Sequence, residues 1–196
     1  MSENPSPSAR LLIGASGSAA VALLPMYISA LRGSFPGSVT VLMTHTAAEF
    51  VPASTIALFA DKVVTAGDRT TWARDNHQTL AAGHDLMVVL PATANVLSAA
   101  ATGAAPSLLT AAITAAPAPV VFFPAMSAEM WANRAVQRNV GQLRQDGHIV
   151  VDPVPAPRYD VAAGAFVESP APPPPPRFAE IVRDRLSVHM PSTERG

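Results

Sequence analysis

The sequence predicts an α/β fold, a doubly wound parallel sheet in a single domain. Two observations carry that expectation. Short apolar runs alternate along the chain with longer Ala-rich stretches that suit helices. The later runs, Asp85 to Leu90, Val120 to Phe123 and His148 to Val151, are continuous rather than alternating. Strands of that kind are covered on both faces, which happens when right-handed crossovers place helices on either side of a parallel sheet.

Taken in order, Arg10 to Ile13 reads as a strand ending at Gly14, and Ser18 to Leu31 as a helix closed by Arg32-Gly33. Ser38 to Met43 is a second strand. A helical segment through Ala47 to Phe50 is punctuated by Pro52 and resumes over Ser54 to Phe59, and Lys62 to Val64 forms a weak third strand. The three apolar runs follow, stopped by Pro91, by Pro124 and by Asp152-Pro153. The expected architecture is Rossmann- or flavodoxin-like. Beyond Asp152 the character changes. Residues 154–176 are Pro-rich and read as a loop or substrate clamp, with Pro172 to Pro176 an extended polyproline run. Arg177 to Val188 carries Phe178, Ile181, Val182 and Leu186 at helical spacing and is expected to dock as a C-terminal helix within 177–196. Residues 1–9 read as a disordered leader, leaving 10–153 as the main domain.

Composition narrows the function classes. The chain has 196 residues, enough for one well-packed domain. Apolar residues make up 49% and charged residues 14%, a balance that favours self-association over a bare monomeric surface. A net charge of −1 gives no electrostatic pull towards nucleic acid or an anionic membrane. No apolar run reaches the roughly 18–20 residues of a membrane span, and the N-terminus lacks a secretory pattern, so the cytoplasm is the expected compartment. There is no cysteine, which removes disulfides, thiolate metal sites and a thiol nucleophile or proton donor. No histidine pair has metal-ligand spacing with a carboxylate, and no metal is expected.

In a doubly wound sheet, ligands sit beyond the carboxyl ends of the strands, so the residues after each strand are the candidates. Gly14-Ala15-Ser16-Gly17-Ser18 suits either close approach to a phosphate or a tight turn with a serine cap. Thr44 to Phe50 opens with a threonine suited to capping. Pro91-Ala92-Thr93-Ala94-Asn95 offers a hydroxyl and an amide to a flat polar ring, or equally a helix cap. Pro124 to Trp131 places Met126, Ser127, Met130 and Trp131 after a buried strand, where core packing competes with ligand contact. His77, ahead of the strand opened by Asp85, is the acid–base candidate, with helix capping as the alternative.

Together and in order, these segments resemble the homo-oligomeric flavin-containing cysteine decarboxylases, over roughly Arg10 to Pro153. The family's Pro-Ala-Ser-Ala-Asn-Thr loop is matched by Pro91 to Val96, and its Pro-x-Met-Asn-x-x-Met-Trp motif by Pro124 to Trp131. The spacing of His77 to Asp85 matches that of the family's histidine and strand-opening Asp, and Gly14 to Ser18 matches its glycine turn.

The resemblance implies FMN held at a subunit interface by Gly14, Ala15, Ser16, Gly17, Thr44, Phe50, Pro91 to Asn95 and Met126, in trimers that often assemble into dodecamers. It implies a hydride passed from the cysteine β-carbon to the flavin, after which the thioaldehyde acts as electron sink for loss of CO2. His77 would be the base, and Ser127, Met130 and Trp131 would meet the substrate. Members serving coenzyme A synthesis carry a late Ala-Cys-Gly-Asp loop, matched here by Val161 to Ala165 with Ala163 in the cysteine's place. That favours the peptidyl type, which stops at an aminoenethiol made from a cysteine-terminated precursor peptide. A phosphopantothenoylcysteine decarboxylase and a non-catalytic flavin-binding interaction protein are the alternatives. Ser127 replaces the Asn that clamps the substrate carboxylate, Val96 replaces a Thr, and Pro106-Ser107 replaces Asp-Asn.

Overall fold

The computed structural model describes residues 9–66 and 72–189. The expected leader therefore lies almost wholly outside the described residues. Six parallel strands form the central sheet: β1 (Arg10–Ala15), β2 (Ser38–Met43), β3 (Lys62–Thr65), β4 (Leu86–Ala92), β5 (Val121–Pro124) and β6 (Ile149–Val150), in the order β3-β2-β1-β4-β5-β6. The order reverses between β1 and β4, which is the switch point where such sheets hold ligands. β1 and β4 are buried almost end to end, as their continuous apolar sequences require.

One face of the sheet is covered by α1 (Leu24–Arg32), the short helices α2 (His45–Phe50) and α3 (Ala53–Ile56), and the C-terminal α9 (Pro175–His189). The spacing of Phe178, Val182 and Leu186 buries all three against this face, and Phe178 stacks edge-on to Phe123 and Tyr27 at 4.9 and 5.3 Å. The other face is covered by α4 (His77–Ala82), α5 (Ala94–Ala101), α6 (Leu108–Thr114) and α8 (Arg134–Gln145). The one-turn α7 (Ala128–Ala132) follows β5 and precedes α8.

Three expectations need correction. The helix over Ser18 to Leu31 is two elements, a 3-10 turn over Ala19–Leu23 and then α1, because Pro25 has no N–H to give and is accommodated only in a first helical turn. Pro91 and Pro124 do not stop their strands but lie within β4 and end β5. The Pro-rich stretch is not a loop: Val154–Asp160 (β7) and Ala165–Ala171 (β8) pair antiparallel, with Pro155 opposite Pro170. A two-stranded ribbon leaves one edge of each strand unpaired, where proline costs no ladder hydrogen bond. Pro175 and Pro176 likewise occupy the first turn of α9 rather than a polyproline run.

Candidate active site

At the switch point the loops following β1, β2, β4 and β5 are stitched to one another by hydrogen bonds. Ser16 is the centre of this seam and is 1% exposed. Its hydroxyl donates to Pro91 O at 2.7 Å and accepts from the Thr93 N–H at 3.1 Å, while its own N–H reaches Pro91 O at 3.4 Å. Thr44 N–H donates to Ala15 O and Ala125 N–H to Ala92 O, both at 3.0 Å. Thr44 and Thr93 also cap α2 and α5 by accepting from Ala47 and Val96 N–H groups. The small residues Ala15 and Ala92 are fully buried, and an added β-carbon at Gly14 or Gly17 would meet Leu109 or Thr46. Gly14 to Gly17, Thr44 and Pro91 to Thr93 thus form one continuous floor, while Ala94 is half-buried and Asn95 and Phe50 are exposed beside it.

Beside this floor lies a cavity of about 500 Å³. Its walls are the 3-10 turn (Ser18 to Ala20, and Leu23), the strand-end residues Ala125, Met126 and Ser127, and the inner side of the β7–β8 hairpin (Ala156 to Arg158, Ser169 to Ala171) with Pro172. Met126 and Ser127 therefore line this cavity. Met130 is exposed, and Trp131 lines a second cavity of about 340 Å³ with Pro155, Glu168 and Pro170 at the hairpin's base. Ser127 caps α7, accepting from Met130 N–H at 3.3 Å. The adjacent Glu129 carboxyl is held below its ordinary range, chiefly by its own backbone N–H and then by the Ser127 hydroxyl, with Arg158 adding a further pull.

His77 is not brought to either cavity. It opens α4 with an exposed side chain, behind an Asn76 cap that accepts from Gln78 and Thr79 N–H groups at 3.0 Å. Buried Asp75 pairs with Lys62 at the amino end of β3, so α4 begins on the flank of the sheet rather than at its ligand-binding edge. Within this chain His77 and the cavity lie apart. Sequence reasoning also missed the 3-10 turn and Arg158 as cavity walls. The signal for the second was Arg158 sitting two residues from Ala156 and Asp160, in an alternation that the prolines obscured.

The Flavoprotein family matches residues 1–171. Mersacidin decarboxylase of Bacillus sp. strain HIL-Y85/54728 is 36% identical over 155 residues, covering 79% of this chain and 79% of the relative. The solved structure of MrsD from the same strain superposes with a TM-score of 0.75 at 31% identity, covering 92% of this chain and 96% of that one. EpiD in complex with a substrate peptide superposes with a TM-score of 0.79 at 25% identity, covering 91% and 98%. The bifunctional coenzyme A biosynthesis protein of Mycolicibacterium smegmatis is 40% identical over 116 residues, which is 59% of this chain but 28% of that protein. A six-stranded switch-point sheet, a cavity walled by the Met126-Ser127 loop and a match through residue 171 agree with one another, and the chain belongs to the Flavoprotein family.

Proposed function

We propose that this chain is an FMN-dependent enzyme that oxidatively decarboxylates the C-terminal cysteine of a precursor peptide during ribosomal peptide maturation, yielding an aminoenethiol. The observation that carries the reading is the cavity at the switch point, walled by the Met126-Ser127 loop, in a chain 36% identical to mersacidin decarboxylase over most of its length. The residues around the cavity suit FMN. Small side chains at 19, 20, 125 and 156 line the pocket, which is mainly apolar with hydroxyls at Ser18, Ser127 and Ser169. Bound FMN would supply the two-electron acceptor that a chain without thiols lacks.

The protein's own residues hold and orient the reactants. The Ser16 seam fixes the floor, Met126 and Ser127 form the wall against which the cysteine end of the peptide would lie, and the hairpin closes over it. His77 would take the thiol proton. Because it stands outside the cavity of its own subunit, that role calls for a neighbouring copy. The reading therefore extends to a trimer, with dodecamers as the larger assembly. Exposed Leu23, Met26 and Phe50 beside the site supply apolar surface for such a contact.

The test is mass spectrometry of short cysteine-terminated peptides incubated with the yellow holoprotein. Loss of CO2 plus two hydrogens is the expected change, and an unchanged mass across a varied set with flavin bound would remove the reading. His77→Asn should abolish turnover and retain flavin; indifference to that change would instead indicate a flavin-binding interaction protein. The match to the coenzyme A protein keeps phosphopantothenoylcysteine decarboxylation as a second reading. Turnover of that substrate to the saturated amine would favour it, against the absence of any cysteine.

A further inference from the structure

We infer that Arg158 is the residue that recognises the C-terminal carboxylate of the peptide substrate, doing so from the roof of the cavity. The inference rests on the proposed substrate class. Among the described residues lining the cavity, Arg158 carries the one formal charge. A peptide whose last residue must enter this space brings a carboxylate with it. An anion in a largely apolar cavity needs a countercharge or several donors to offset lost hydration.

Ser127 alone does not meet that need. Its oxygen accepts the Met130 N–H that caps α7, and a lone hydroxyl has a single O–H to donate. What remains on the walls is the Ser18 and Ser169 hydroxyls and the Arg158 guanidinium. Arg158 is well placed for the task. It lies mid-strand in β7, opposite Val167, on the same side of the ribbon as the cavity-lining pair Ala156 and Ser169. Asp160 takes one of its N–H groups at 3.2 Å and is itself anchored by the Ala163 N–H at 3.0 Å, which steadies the side chain at the hairpin turn. A guanidinium has five donors in a planar fork, so one engaged edge leaves a second for a bidentate carboxylate.

The chemistry predicts where the effect falls. The departing CO2 is neutral, so charge leaves the guanidinium's side as the bond breaks. Arg158 therefore stabilises the bound substrate at least as much as the transition state, and its loss appears in KM rather than in kcat.

The test uses the flavin-loaded protein and a matched pair of pentapeptides ending in serine, one a free acid and the other an amide, with affinities from calorimetry. Wild type should prefer the acid by about tenfold or more, the range of a charge-assisted hydrogen bond. Arg158→Ala should abolish the preference with flavin content unchanged, and Arg158→Lys, which keeps the charge without the fork, should retain part of it. On cysteine-terminated peptide, Arg158→Ala should raise KM by a similar factor. Equal binding of acid and amide by wild type, at any affinity, overturns the inference. So does an acid preference that survives Arg158→Ala. Loss of FMN from Arg158→Ala, with peptide preference intact, would also overturn it and assign the arginine to the cofactor phosphate. Turnover by wild type is scored separately, so failure of the proposed reaction and failure of this assignment are distinct results.

Discussion

At position 17 an added β-carbon would stand 2.6 Å from Thr46 Cβ and 2.5 Å from its Cγ2. Thr46 is β-branched, and its Cβ is fixed to the backbone of α2, so no rotamer change relieves the clash. Gly17→Ala should push the floor loop away from α2, lowering stability by about 1–3 kcal/mol, the usual cost of overpacking. Flavin affinity should fall with it. Gly14 is a useful contrast, because its added carbon would meet the end of the Leu109 side chain, at 2.4 Å from Cδ1, which can swing aside. Gly14→Ala should therefore cost less. Denaturant midpoints and retained flavin absorbance for the two variants check the order, and equal losses would show that the loop floor is not held against Thr46.

At the scale of elements, two half-buried histidines tie stability to pH. Burial pushes the imidazoles of His84 and His148 below their ordinary value of 6.5. The ring of His84 donates from Nδ1 to Leu80 O at 2.7 Å, a bond that survives protonation. His148 differs, since its Nδ1 accepts the Val120 N–H at 3.1 Å and must be bare to do so. Its contact joins the start of β6 to the start of β5. With the folded pKa depressed, the unfolded chain binds more protons once pH falls below about 6.5, so stability is full above that value and declines beneath it. Urea midpoints should drop between about pH 7.5 and pH 5.5, a range above the titration of the lowered carboxylates Asp61 and Asp85. His148→Leu should be weaker throughout but show a flatter profile, and an unchanged slope would exonerate this histidine.

The same scale shows what a sequence can disclose. Strands β1, β2, β4 and β5 were legible because burial on both faces demands unbroken apolar runs, and α9 because Phe178, Val182 and Leu186 repeat with helical spacing. Met126 and Ser127 were legible as cavity-lining residues because the switch-point rule singles out whatever follows a buried strand. The hairpin was not, since its strands are defined by pairing across a turn, and prolines at 155, 157 and 170 mask the alternation. Arg158 was lost with it. The role of Ser16 as a buried tie between loops was equally hidden, because its partners Pro91 and Thr93 lie 75 and 77 residues away.

At the scale of the whole molecule, the separation of His77 from the cavity has a quantitative consequence. If each active site takes its base from one subunit and its Met126-Ser127 wall from a neighbour, two inactive variants should complement. His77→Asn damages the donor of the base, and a cavity-filling Met126→Trp damages the wall. In a ring of random composition made from equal amounts of both, a site is intact when the base comes from a Met126→Trp subunit and the wall from a His77→Asn subunit. Each condition is met with a probability of about one half, so activity should recover to about a quarter of wild type. A site confined to one subunit gives none, because every chain carries one lesion. Co-expression of the two variants with distinct tags, tandem purification of mixed oligomers and a decarboxylation assay make the comparison. Tandem purification removes the homotrimers, which hold no intact site, so recovery near about a third in mixed trimers would place the base in trans. Its absence from verified mixed oligomers would mean that α4 must move to the cavity of its own chain, against the Lys62–Asp75 pair that holds its start on the flank of the sheet.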